Sequence, residues 1–312
     1  MIKFENGSFK IETKNTMYLI NVLDSKHLSH VYYGKRIEYD NISDLTPKFD
    51  FEQGSATSYS KESKPFSLGK ALLEVATFGK GDYREPSLHL EMEDGSRVSD
   101  FLFKSYKILN DKKQMDGLPS LNGPCTTLLI SLVDEVIGVE IVLEYNSFYE
   151  ENVITRNMKI INGSKQEIVI DKAMSMNIDF YDSDYELMTL DGAWIRERHI
   201  NLRNAFGITK IDSKKGVSSA DHNPFIAIKR KETNEFSGDV YGFSLVYSGN
   251  FEINVEVSPH NLLRVMLGIN SFDFKWRLKK GEIFQTPEVV LTYSSDGLNG
   301  MSTNFHEAIQ KK

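Results

Sequence analysis

The amino-acid sequence predicts an all-β protein, a large antiparallel sandwich closed by one short C-terminal helix. Three features carry that expectation. Apolar and polar residues alternate with period two along most of the chain, as half-buried strands require. Gly, Asn and Asp break the alternation at short intervals, which spaces many short strands for an antiparallel sandwich. A helical period surfaces convincingly only near the C-terminus.

Residues 1–10 alternate from the outset, whereas 55–67, rich in Ser and Lys, reads as the most loop-like stretch. Residues 68–76 offer a short, ambiguous helical pattern. In 88–93, Leu88, Leu90 and Met92 fall on one strand face before an Asp94-Gly95 turn. Residues 127–132 and 139–145 form a second pair, with Val139, Ile141, Leu143 and Tyr145 on one face and Glu140 and Glu144 on the other. The clearest hairpin signal joins 242–247 to 251–257 through Ser248-Gly249-Asn250. Ser302 is expected to cap a helix over 303–312, with Phe305 and Ile309 on one face. No internal repeat or linker divides the chain, so the expected units are a sandwich over 1–294 and a helical tail over 295–312.

Composition narrows the function classes. The formal charge of −7 argues against a nucleic-acid partner, because neutralising phosphates needs a local excess of Lys and Arg. The basic runs Lys229-Arg230-Lys231 and Lys279-Lys280 read as solvated faces. Neither a signal peptide nor a membrane span is expected, so a cytoplasmic setting is. A single cysteine, Cys125, excludes an intrachain disulfide framework and reads as a small buried hydrophobe. No metal or other cofactor is expected. The seven histidines are scattered without ligand spacing, and no Walker loop, dinucleotide fingerprint or nucleophile elbow occurs.

Carboxylates remain. Asp179, Asp182, Asp184 and Glu186 cluster beside Tyr181 and Ser183, which reads as a solvated acidic turn. Trp194 beside Arg196-Glu197-Arg198 offers a stacking platform with charge-assisted donors, suited equally to gripping a sugar or sealing a polar interface.

Around this motif the sequence resembles the N-terminal domain of bacterial alpha-galactosidases of glycoside hydrolase family 36. The landmarks run through essentially the whole chain. They are His27-Leu28-Ser29-His30-Val31-Tyr32-Tyr33-Gly34-Lys35, Gly81-Asp82-Tyr83-Arg84-Glu85-Pro86, Asp94-Gly95-Ser96-Arg97-Val98 and Asn152-Val153-Ile154-Thr155-Arg156. Further on come Gly192-Ala193-Trp194-Ile195-Arg196-Glu197-Arg198-His199, Asn223-Pro224-Phe225, the run 240–251 and Thr286-Pro287-Glu288-Val289-Val290. One departure is visible: relatives tend to carry Ser-Ser-His before Asn-Pro-Phe, and this chain has Ser218-Ser219-Ala220-Asp221-His222.

The resemblance implies a β-supersandwich of the galactose mutarotase-like kind, followed in relatives by a (β/α)₈ barrel that supplies two catalytic aspartates, one in a Lys-Trp-Asp motif. That motif is absent here; Lys275-Trp276-Arg277 is the nearest string. The chain is therefore expected to end about where the barrel would begin, to hold no catalytic residue and to be inactive alone. Full-length relatives release terminal α-galactose from melibiose and raffinose-type sugars as tetramers, so a homo-oligomer is expected. The resemblance places Asp50 and Lys64 at positions reaching a neighbouring subunit's pocket, and Tyr185 and Trp194 near aromatic contacts at the pocket mouth. Lys64 stands where relatives carry Arg or an aromatic, and lysine cannot reproduce the planar bidentate fork of Arg. Two other readings compete. A free-standing carbohydrate-binding sandwich would use Trp194 and Tyr185 as stacking platforms. An independent mutarotase-type enzyme would need a paired His and Glu in a cleft, against which the scattered histidines argue.

Overall fold

The computed structural model describes residues 1–46, 57–62 and 66–310. In chain order the strands are β1 (Ile2–Glu5), β2 (Ser8–Glu12), β3 (Thr16–Val22), β4 (Leu28–Lys35), β5 (Leu88–Glu91), β6 (Leu102–Leu109), β7 (Thr126–Asp134), β8 (Val139–Phe148), β9 (Val153–Asn162) and β10 (Ile168–Phe180). They continue with β11 (Glu186–Ala193), β12 (Arg196–Asn204), β13 (Ile208–Asp212), β14 (His222–Lys229), β15 (Val240–Val246), β16 (Phe251–Val257), β17 (Leu263–Ile269), β18 (Trp276–Leu278), β19 (Ile283–Gln285) and β20 (Glu288–Ser294). One α-helix follows, α1 (Gly297–Gln310).

The strands form three antiparallel sheets. The first runs β1-β2-β3-β4; the second runs β13-β16-β17-β10-β18 with β5 also on β10. The third is the largest, β12-β11-β14-β15-β20-β9-β8-β7-β6, with β19 on β9. A single apolar cluster draws side chains from all three, including Phe9, Tyr18, Ile130, Tyr145, Ile178 and Leu267. This is the supersandwich expected from the resemblance.

Period-two alternation decides which face each strand buries. Leu88 and Leu90 enter the core, and Val139, Ile141, Leu143 and Tyr145 line one face of β8. Glu144, on the opposite face, is buried too, because the second face of this sheet is also covered. On β20, Val289 and Leu291 point to the main core while Val290 joins a second cluster with Phe148, Met301 and Phe305. Helix α1 supplies that cover over β15 and β20, and Gly242 lets it approach. A Cβ there would stand 2.6 Å from Phe305 Cε2 and 2.7 Å from Met301 Sδ.

Four local expectations are corrected. Residues 242–247 and 251–257 are strands, but not a hairpin: β15 pairs with β14 and β20, and β16 with β13 and β17. Ser248-Gly249-Asn250 therefore carries the chain from one sheet to another. The helix begins at Gly297, so Ser302 lies inside it, and Ile309 is 61% exposed while Phe305 is buried. Residues 68–76 form turns and bends, with no helix. Asp179 is fully buried and belongs to no solvated turn. No helix among the described residues is long and apolar enough to cross a membrane.

Candidate functional site

Strand ends from the first two sheets and from β14 and β15 converge on a cavity of about 390 Å³. His30 and Tyr33 come from β4, Tyr185 precedes β11, Arg230 follows β14, and Tyr241 lies on β15. Tyr185 is 4% exposed. Its ring lies under the Arg230 guanidinium, 3.9 Å from carbon to centroid, and its hydroxyl accepts from Arg230 Nη2 at 3.1 Å. Arg230 also grips Asp182 with both terminal nitrogens, at 2.6 and 2.9 Å. Burial favours the neutral acid of Asp182, but the hydrogen bonds and charge of Arg230 outweigh it and hold this carboxyl below its ordinary range. Burial pushes the Tyr33, Tyr185 and Tyr241 phenols well above their ordinary range, so all three remain neutral hydroxyls.

Two buried ion networks hold the cavity wall. In the first, Glu74 is fully enclosed, accepting from Tyr18 at 2.8 Å, Arg156 at 2.9 Å and the Tyr145 hydroxyl, with His30 Nδ1 at 3.0 Å. Burial alone would neutralise Glu74; Arg156 and His30 overcome it and keep the carboxylate ionised. The His–Glu pair that a mutarotase-type enzyme would need thus exists, but with its carboxylate sealed. In the second network, Asp179 takes Arg264 Nε and Nη2, both at 2.8 Å, Arg84 Nη1 at 3.2 Å and the Leu73 amide at 2.9 Å. Asp82 completes it, bonded to both arginines. His30, Asp82, Arg84 and Arg156 all lie in the landmark motifs, so those motifs mark where the sheets are bolted together.

Trp194 is elsewhere. It lies at the tip of the β11–β12 hairpin and is 82% exposed. Ile195 and Arg198 take left-handed backbone there, and Gly192 is required because a Cβ would fall 2.1 Å from the Arg196 carbonyl. Tyr185 and Trp194 bracket β11, so nine residue steps separate them by roughly 30 Å. Every residue of β12 is exposed. Asp50 and Lys64 lie outside the described residues. His222 sits against Asp191, Nδ1 to Oδ1 at 2.7 Å, close to the tip of the hairpin. Of the four candidate residues the structure describes two, and it does not bring them together.

Sequence reading missed Arg230, Tyr241 and His30. Lys229 and Arg230 read as a solvated run; instead Lys229 is buried on Glu186 at 2.6 Å and Arg230 lies over Tyr185. The signal lay in the strand: an apolar run, Phe225 to Ile228, leads straight into the pair.

A three-sheet antiparallel supersandwich with a cavity at its strand ends defines the class of fold. The chain belongs to glycosyl hydrolase family 36: the family's N-terminal domain model matches residues 26–279. Alpha-galactosidase AgaA of Geobacillus stearothermophilus is 39% identical over 308 residues, covering 97% of this chain and 42% of that protein. Alpha-galactosidase Mel36A of Lactobacillus acidophilus is 36% identical and covers 100% and 43%. The crystal structure of GH36 alpha-galactosidase AgaB from G. stearothermophilus superposes with a TM-score of 0.96 at 37% identity, covering all of this chain and 43% of that one. AgaA variants have been solved in complex with raffinose and with stachyose. The chain thus spans less than half the length of the relatives it matches.

Proposed function

We propose that this chain serves as the N-terminal β-domain of an alpha-galactosidase, catalytically silent by itself and completed by a barrel that carries the hydrolytic aspartates. The observation that carries this reading is the alignment over essentially the whole chain to only 42–43% of each relative. Raffinose-type α-galactosides are the substrate class, since relatives at 38% identity hold raffinose and stachyose. In the completed enzyme Asp50 and Lys64 reach a neighbouring subunit's pocket, and the exposed Trp194 is the better placed of the two aromatic candidates to stand at its mouth, since Tyr185 is buried at the far end of β11. The exposed apolar hairpin around Trp194 supports a homo-oligomer, and the single cysteine suits a reducing, cytoplasmic setting.

The test has two arms. The purified chain alone should release nothing from a chromogenic α-galactoside; turnover that follows the protein through purification would sink the reading. Fusing the chain to the remaining part of AgaA should restore hydrolysis. In that fusion Asp50→Ala should lower kcat/KM roughly 10- to 150-fold, the cost of one charge-assisted hydrogen bond at about 1.5–3 kcal/mol. Unchanged kinetics would remove Asp50 from the pocket.

A further inference from the structure

We infer that the cavity between His30 and Arg230 is a binding site for a neutral polyhydroxylated ring, a monosaccharide or cyclic polyol, carried by the sandwich itself. The inference does not depend on whether a barrel completes the chain.

Size is the first argument. Small-molecule sites run from about 300 to 1,000 Å³, and a cavity of about 390 Å³ is scaled to one ring.

Charge is the second. The Arg230 cation is matched by Asp182, and Asp179 is matched by Arg84 and Arg264. Asp44 adds a further carboxylate to the lining. Among the described residues no surplus cation faces the cavity, so a phosphate or carboxylate ligand would meet no net attraction from them. A neutral ligand has no such requirement.

Donors and acceptors are the third. The two-point Arg230–Asp182 pair presents guanidinium protons and carboxylate lone pairs side by side, which matches adjacent ring hydroxyls that each donate and accept. Because Glu74 is ionised, His30 directs Nδ1–H at it. The opposite ring nitrogen has no hydrogen-bond partner among the described residues, and in the neutral ring it is an acceptor. Tyr33, another lining residue, is 3% exposed and its hydroxyl is buried without a partner. A buried hydroxyl left unpaired is costly, so it is poised to donate to a ligand oxygen. Tyr32 and Tyr181 stand at the rim, half-buried and exposed, where a phenol face meets the C–H face of a sugar ring.

Calorimetric titration of the whole chain tests this, with D-galactose, D-glucose, myo-inositol and inorganic phosphate as separate probes. At least one of the three neutral probes should bind, and phosphate should not. Asp182→Asn and Arg230→Gln should each weaken that binding tenfold or more. Asp182 and Arg230 are both partly exposed, and matching circular dichroism and melting curves show that the variants are folded. Trp276→Ala, on a surface aromatic far along the chain, should bind as the parent does. Three outcomes overturn the inference: no neutral probe binds, phosphate binds better than any of them, or binding survives both pocket variants and is lost in Trp194→Ala. Because binding is read without hydrolysis, a negative result leaves the domain's role in an alpha-galactosidase untouched.

Discussion

His30 Nδ1 lies 3.0 Å from Glu74 Oε1, across 44 residues of sequence, and Arg156 closes on the same carboxylate from β9. Three chain segments therefore meet at one ion that water does not reach. Such a cluster stabilises only as a complete set, since each member's charge is compensated solely by the others.

Glu74→Gln should destabilise the domain by about 3–5 kcal/mol, because it leaves the Arg156 guanidinium buried without its counter-ion. Urea unfolding measures this. Adding Arg156→Met to Glu74→Gln should cost less than Arg156→Met costs in the parent. Strictly additive losses would show that the two residues act independently.

Glu252 predicts an acid limb to stability. Burial would raise its carboxyl, but Lys172 and then Lys210 and Ser271 outweigh burial and bring it from 4.5 down to about 2. A group lowered in the folded state contributes its stabilisation fully above its unfolded value near pH 4.5, and loses it as pH falls through about 2. The contribution is on the order of 3 kcal/mol. Glu252→Gln should flatten the stability–pH curve between those limits; an unchanged slope there would assign the acid limb to other carboxyls.

Gly242→Ala should loosen α1 from the large sheet. The new methyl meets Phe305 and Met301 at less than contact distance, and overpacking of this kind costs about 1–3 kcal/mol. Amide exchange along α1 should quicken more than exchange in β8 and β9. Equal protection in both proteins would mean that the helix shifts without penalty.

The β11–β12 hairpin predicts self-association. Trp194, Ile195, Ile200 and Leu202 are all more than half exposed along the β12 edge of the large sheet, as are Phe206 and Ile208 where the chain passes to the edge of the second sheet, and isolated monomers rarely leave such patches uncovered. Sedimentation of the chain should show concentration-dependent association, suppressed by Ile200→Lys with Trp194→Ser. A strictly monomeric parent would count against it.

Individual strands were legible in the sequence because side-chain alternation is a local property. Leu88 and Leu90, and the inner face of β8, fall where period two puts them. Partners were less legible. The turn at Ser248-Gly249-Asn250 satisfies hairpin chemistry, yet its flanking strands find deeper burial in separate sheets. Helix α1 begins earlier than its capping signal because Gly297 packs tightly against 234–237, a tertiary contact without local signature. The cavity was half legible: Tyr185 stood out as an aromatic, while His30 and Arg230 acquire meaning only beside Glu74, Asp182 and Tyr185. Charges that look solvated in a linear run are buried when a partner lies 43 or more positions away, as Lys229 is against Glu186.

Strand β9 has β8 on one side and β19 and β20 on the other, so its second edge is met only about 120 residues after β9 is complete. At a synthesis rate of about 5–20 residues per second, the ribosome needs roughly 6–25 s to supply it. Throughout that interval the nascent chain carries an apolar strand with an open ladder, Val153 and Ile154 among its residues. Unpaired edges of this kind recruit other chains. Yield in a cell should therefore depend on chaperones that shield this half-built sheet, and on translation speed between β9 and β20, more than on the stability of the finished domain.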